Sequence, residues 1–250
     1  MKVLTWNVNG IRARQAELAS LVAVEQPDVL CLQEIKAPPD KVPELLVAAS
    51  GYWCYWHGLG GYSGVALLVR QGFCADRPEF THPAFDREQR IVAVAVGPLT
   101  IASVYVPNGG KDYPAKLAFL RALAAWAGET DRTGSALLLC GDLNVAREER
   151  DVHPKERKAN QIGTRPEERD LFSTLLAAGL VDVGRTLEPH NDSLFTWWAP
   201  WRNLRQRNIG WRIDYILAHA SLASRAERSS SMQEFGTSDH APVVASFTDS

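Results

Sequence analysis

The stretch "RIVAVAVGPLTIASVYVPNGGKDYPAKLAFLRALAAWAGETDRTGSALLLCGDLNV" (90–145) decides the fold class. Its first two apolar runs, 90–96 and 100–106, are short, rich in Val and Ile, and parted only by Gly97, Pro98 and Leu99, so they read as consecutive strands. Residues 113–129 then repeat their apolar positions at helical spacing, with Pro near the start and Gly near the end. The run 135–145 returns to a strand. A pure parallel sheet needs a helix at every crossing and an all-β sandwich needs none. A chain with both kinds of connection therefore points to mixed α/β layers.

The same grammar extends outward. Segments 2–8, 28–35 and 64–70 read as further strands, and 14–26 and 165–180 as amphipathic helices. No internal repeat or low-complexity linker interrupts them, and the most loop-like stretch, 146–164, is too short to join two independent domains, so residues 1–250 are expected to form one domain. The 250 residues, 46% hydrophobic and 22% charged, suffice for a large core and exclude collagen-like, disordered and disulfide-dense classes. A net charge of −2 means that any surface for a polyanion must be local. The apolar runs are too short to span a bilayer, and "MKVLTWNV" lacks the apolar stretch of a signal peptide. A soluble, cytoplasmic protein with no membrane partner is expected. Cys31, Cys54, Cys74 and Cys140 show no C-x-x-C spacing and read as structural thiols.

The apolar runs end in polar residues with unusual regularity: Asn7 and Asn9, Glu34, Tyr105 and Asn108, Asp142 and Asn144. A turn former closing a strand explains any one of these. Their recurrence, together with "RIDYI" (212–216) and "SDHAP" (238–242), indicates one shared site, since ligands of layered α/β proteins collect at strand ends. Neighbours in a strand face opposite ways, so Asp239 and His240 can serve that site together only if the backbone turns, which Gly236, Ser238 and Pro242 favour. Without a His-x-x-x-His or Cys cluster, zinc is disfavoured. A glutamate with several Asp and Asn oxygens suits a hard ion such as Mg²⁺. No phosphate-cradling glycine loop or nucleophilic serine elbow appears, so metal-assisted attack of water on a phosphate ester is the chemistry best served.

The ordered motifs "TWNVNGIRAR" (5–14), "CLQEIK" (31–36), "GYSGVALL" (61–68), "YVPNGG" (105–110), "GDLNV" (141–145), "GWRIDYIL" (210–217) and "SDHAPV" (238–243) resemble those of the exonuclease III family of abasic-site endonucleases. The resemblance runs over nearly the whole chain. It implies a four-layered α/β sandwich, two mixed β-sheets packed face to face with helices on the outer faces. It also implies Mg²⁺-dependent hydrolysis, with Mn²⁺ as a substitute, of the phosphodiester 5′ to an abasic site in duplex DNA, and some 3′–5′ exonuclease or 3′ end-cleaning activity on blocked 3′ ends. A monomer is the default.

By the family's pattern Glu34 is the principal metal ligand, with Asn9 and Asp239 beside it. Asn9 stands where some relatives carry an aspartate, and a neutral amide binds a cation less strongly. Asp142 and Asn144 resemble the pair that positions the attacking water. Asn7, Tyr105, Asn108 and His240 resemble groups that hold phosphate oxygens, and Asp214 the carboxylate that orients His240. Either Asp142 or the His240–Asp214 pair then serves as general base.

The segment "FTWWAPWRNLRQRNIGWR" (195–212) holds Trp197, Trp198, Trp201 and Trp211 with four arginines and no acid, the mixture a nucleic-acid surface uses. The resemblance puts Trp197, Trp211 and Ile213 in a pocket for the extruded abasic sugar, Trp201 and Arg202 at the wedge into the duplex, and Arg12, Lys36, Tyr62, Lys111 and Asn160 at DNA contacts. Two other readings use the same residues: a lipid-headgroup phosphoesterase on the same scaffold, and a DNA-binding module without chemistry.

Overall fold

The computed structural model describes residues 1–47 and 51–248. Twelve strands alternate with helices: β1 (Lys2–Asn7), α1 (Gln15–Glu25), β2 (Val29–Gln33), α2 (Glu44–Val47), β3 (Tyr52–His57), β4 (Val65–Arg70), β5 (Phe80–Thr81), β6 (Ile91–Val96), β7 (Leu99–Tyr105), α3 (Tyr113–Arg132), β8 (Ala136–Asp142), α4 (Pro166–Ala177), β9 (Leu180–Asp182), α5 (Val183–Leu187), β10 (Asp214–His219), α6 (Ala220–Ala223), β11 (Ala226–Ser231) and β12 (Val243–Phe247). They form two six-stranded sheets, β11-β12-β1-β2-β4-β3 and β5-β6-β7-β8-β10-β9. Both are mixed. The β1–β2 pair, joined through α1, and the β7–β8 pair, joined through α3, are parallel, and the other pairings are antiparallel. The four-layered α/β sandwich expected from the motifs is the fold observed.

The period-two alternation of the strands builds the layers. Val3, Val29 and Cys31 of the first sheet meet Ile101, Leu138, Cys140 and Ile216 of the second in a central core. The alternate residues Leu4, Trp6, Leu30 and Leu32 face outward beneath Leu18 and Leu21 of α1, while Val104, Leu137 and Leu139 do the same beneath Phe119, Leu120 and Leu123 of α3 and Phe172 of α4. Asp112 caps α3 by accepting from the Ala115 amide, with Pro114 inside the first turn.

One polar seam crosses the central core. Gln33 donates to Thr5 and to Ser103, each at 3.1 Å, and the Ser103 hydroxyl donates to the Leu32 carbonyl, so buried groups of both sheets satisfy one another. Directly above this seam the inward-facing positions of β1, β2, β7 and β8 reach their polar ends. The pairings Asn7↔Gln33, Tyr105↔Asp142 and Asp214↔Asp142 bring those ends to one level.

Candidate active site

The side chains collected at that level come from both sheets. Asn7, closing β1, donates its amide to Glu34 Oε1 and to Asp142 Oδ2, both at 2.9 Å, and so ties the sheets together across the gap. Asp142 closes β8, and its other oxygen accepts from the Asn144 amide at 2.9 Å. Asp214 opens β10 and accepts from His240 Nδ1 at 2.9 Å, which turns Nε2 toward Asp142 Oδ2 at 3.9 Å. The expected turn at 236–240 is present. Ser238 donates to the Asn7 carbonyl at 2.8 Å and accepts from the His240 amide at 3.2 Å, while Asp239 points away from His240 to accept from Asn9 at 2.7 Å and from Trp197 Nε1 at 3.0 Å. Lys36 reaches Glu34 at 2.7 Å and Asn9 at 2.5 Å.

The backbone is bent to achieve this. Asn9, Glu34, Lys36 and Asn144 have φ of 45°, 51°, 50° and 51°, a region that costs about 1–3 kcal/mol for residues other than Gly and that Asn tolerates best. Gly141 has φ +149°, and a Cβ there would run into the Val104 carbonyl of the adjacent strand. Only glycine lets β8 lie this close to β7 just before Asp142.

The electrostatics divide the acids. Burial pushes Glu34 up, but the Asn7 hydrogen bond, the His240 charge and Lys36 outweigh it and hold the carboxyl below its usual range. Asp239 is held low in the same sense: burial is overcome by His240 and by the hydrogen bonds from Trp197 and Asn9. Asp142 goes the other way, pushed up to about 8 by burial and then by the charges of Asp214 and Glu34. His240 is raised to about 10, because the charge and hydrogen bond of Asp214, helped by Asp142, overcome its burial. Tyr105 is raised, first by burial and then by Glu34 and Asp142, so its phenol stays a donor. Glu34, Asp142 and His240 present ligand atoms within 4.8 Å of one another, and the ionised Glu34 carboxylate among them suits a hard divalent ion.

The residues expected to form the apolar pocket lie beside this cluster and pack on one another. Trp197 and Trp211 exchange backbone hydrogen bonds of 2.8 and 2.9 Å and meet edge to face at 6.1 Å, Ile213 packs with them, and the Trp197 ring lies 6.4 Å from that of His240. Tyr62, Asn108 and Lys111 line a separate cleft of about 700 Å³ together with Arg90. Trp201, 59% exposed, and Arg202 stand free on the surface, as does Arg12. Asn160 is exposed and lines a cleft with Arg157, Lys158 and Arg169; the structure does not bring it into the carboxylate cluster.

Two readings need correction. Trp198 is core, only 1% exposed and packed with Phe195, Leu204 and Ile209. Of the four arginines in 195–212, Arg212 is buried on Asp151 and Asp182, and Arg205 binds backbone carbonyls of Gln233 and Phe235, leaving Arg202 and Arg207 as the exposed pair. Two supporting cations also went unsignalled in the sequence. Arg90, buried, lies 4.7 Å from the Tyr105 ring centre and donates to the Tyr62 hydroxyl at 2.8 Å. Lys116, fully buried, pairs with Glu168 and donates to the Asn144 and Asn108 carbonyls at 2.7 and 3.3 Å. As single charges beside apolar runs, they carry no motif.

A sequence profile described as the Endonuclease/Exonuclease/phosphatase family matches residues 4–240. The exodeoxyribonuclease of Bacillus subtilis is 33% identical over 252 residues, covering 97% of this chain and 98% of the relative. Among solved structures, an AP endonuclease from Archaeoglobus fulgidus superposes with TM-score 0.90 at 30% identity, covering 100% of both chains. The 3′ phosphatase NExo from Neisseria, bound to a product DNA hairpin, does so with TM-score 0.90 at 31% identity, again over 100% of both chains. With strand ends, carboxylates and Asp-His turn in this arrangement over the full length of such relatives, the chain belongs to the endonuclease/exonuclease/phosphatase family, in its exonuclease III and AP endonuclease branch.

Proposed function

We propose that this protein is a Mg²⁺-dependent DNA repair phosphodiesterase that acts as a monomer and incises duplex DNA 5′ to an abasic site, with a lesser 3′ end-cleaning activity. The observation that carries this reading is the join between the Trp197–Trp211–Ile213 apolar cluster and the Glu34–Asp142–His240 cluster, through the Trp197 to Asp239 hydrogen bond. An abasic nucleotide is cheap to unstack, and a tight aromatic pocket beside the reacting groups excludes a sugar that still carries its base.

Glu34, with Asp239 and Asn9 close by, would hold the divalent ion, which supplies Lewis-acid stabilisation of charge on the phosphate oxygens. Asp142, whose carboxyl is made more basic by burial and by the charges of Asp214 and Glu34, is the group suited to take a proton from the attacking water, and Asn144 beside it to orient that water. His240, a cation to about pH 10, is suited to stabilise phosphate charge rather than to accept a proton. Water adds to phosphorus, its proton passes to Asp142, and the bond to the 3′ oxygen of the preceding nucleotide breaks, that oxygen taking up a proton from solvent to leave as a hydroxyl. Tyr105 donates to the anionic centre, while Asn7, both of whose amide hydrogens are engaged, keeps Glu34 and Asp142 in place.

Two labelled duplexes test this, one with a central abasic analogue and one intact with a recessed 3′ end, each in Mg²⁺ and in EDTA. Rapid Mg²⁺-dependent nicking of the first with slow shortening of the second is expected. Fast shortening of the intact duplex with little nicking would overturn the abasic reading and make the protein a 3′ exonuclease.

A further inference from the structure

A second cluster of ligating groups lies at the far margin of the sandwich, where the edge strands of the two sheets meet. His57 closes β3, His82 follows β5, and Asp86 ends the turn that begins at Pro83. The two imidazoles stack with centres 3.8 Å apart and planes 17° apart, His57 Nε2 lies 2.6 Å from Asp86 Oδ2, and one ligand atom from each of the three residues falls within 4.8 Å of the others.

The hydrogen bonds fix which atoms are available. His82 Nδ1 lies 3.2 Å from the Ile91 carbonyl, which can only accept, so Nδ1 carries the proton and Nε2 the lone pair. That lone pair accepts from the Tyr55 hydroxyl, at 2.9 Å. An imidazole whose outer N–H is spent on a backbone carbonyl is the arrangement metal-ligating histidines use. Asp86 is oriented in the same way, its Oδ1 accepting from the Arg90 amide at 2.8 Å while Oδ2 faces His57.

We propose that His57, His82 and Asp86 form a second metal site, taking a zinc-class divalent ion in place of the proton between His57 and Asp86 as the stacked rings swing apart, because lone pairs in near-parallel planes do not converge on one point. Two imidazoles and one carboxylate with room for water suit a borderline-soft ion, whereas the oxygen-rich cluster at Glu34 suits Mg²⁺. The ion clamps the 82–90 loop to β3. Because Asp86 also holds the Arg90 amide, and Arg90 supports Tyr62, occupancy bears on the cleft that Arg90 and Tyr62 line.

The test titrates the full-length protein with Co²⁺ under saturating Mg²⁺ and reads the visible absorption of low-coordinate cobalt, then locates Zn²⁺ in soaked crystals by anomalous scattering at its absorption edge. One Co²⁺ per chain is expected, retained in Glu34→Gln and lost in His82→Asn, with the zinc peak between His57 and Asp86. Tyr55→Phe removes the hydroxyl competing for His82 Nε2 and should tighten binding about fivefold, the worth of one neutral hydrogen bond of about 1 kcal/mol. Tighter binding cannot arise from misfolding. Absence of the cobalt band in the wild type, its loss in Glu34→Gln with retention in His82→Asn, or unchanged affinity in Tyr55→Phe would each overturn the proposal.

Discussion

Replacing Lys116 with methionine should cost both stability and turnover, by separable amounts. The lysine is fully buried and joins four segments: α3, which carries it, the Asn108 loop and the Asn144 loop through their carbonyls, and the 163–168 turn through Glu168. Removing one partner of a buried ion pair costs about 3–5 kcal/mol, because the other charge is stranded. Glu168 keeps the Gly163 and Arg165 amides as donors, at 2.8 and 3.0 Å, which places the loss near about 3 kcal/mol. The abandoned Asn144 carbonyl adds about 1 kcal/mol. For a chain of this length each kcal/mol moves Tm by about 2–4 °C, so a fall of about 8–16 °C is expected. Nicking of abasic duplex, assayed well below the lowered Tm, should fall about 10- to 100-fold because Asn108 and Asn144 lose their common anchor. The double variant Lys116→Met/Glu168→Gln removes the stranded charge and should recover part of the Tm without recovering turnover. A Tm fall under about 3 °C, or full turnover in the single variant, would refute this reasoning.

Glu34→Ala should raise the Mg²⁺ concentration needed for half-maximal nicking about 10- to 100-fold with DNA affinity preserved, whereas Asp142→Asn should lower kcat about 10²–10⁴-fold with DNA still bound; gel-shift and nicking titrations distinguish the two. Gly141→Ala, which drives a methyl group into the Val104 carbonyl and strains φ, should cost about 3 kcal/mol or more in urea unfolding. Burial pushes Asp151 up, but the charge and hydrogen bond of Arg212, the Glu148 amide and a hydrogen bond from Arg185 outweigh it and hold the carboxyl below its ordinary range. It therefore contributes stability above its unfolded pKa of about 3.9, and that contribution disappears as pH falls through the lower folded value. Between pH 4 and 2 the wild type should lose stability more steeply than Asp151→Asn, and equal slopes would count against the pairing.

The central strands and long helices were legible because their apolar positions repeat with the right period. The reading of 90–145 placed β6, β7, α3 and β8 within a few residues of where they lie. The edge of each sheet was not legible. The β11 segment "AERSSS" has no apolar face and is held by pairing with β12, and β3, "YWCYWH", does not alternate cleanly in polarity. At the site, residues bearing a recognisable chemistry in a motif were anticipated, and the structure brings Asn7, Glu34, Asp142, Asn144, Asp214, Asp239 and His240 together as expected. The Arg90 and Lys116 supports were not, because their partners are backbone carbonyls and residues distant in sequence. Arg212 shows the opposite error: a basic residue among tryptophans looks like a DNA contact until Asp151 and Asp182 are found around it.

The Thr5–Gln33–Ser103 seam has a bearing on how substitutions are tolerated. Half of the reacting groups hang from one sheet and half from the other, so their spacing is set by how the two sheets are aligned, and the seam is the polar latch of that alignment. Changes in the cores beneath α1 or α3 alter stability while each sheet keeps its shape. Changes in the central layer let one sheet slide against its neighbour by fractions of an ångström, enough to part Asn7 from Asp142 while the chain remains folded. Loss of activity without loss of fold should therefore map to the layer between the sheets, even at positions far below the reacting groups.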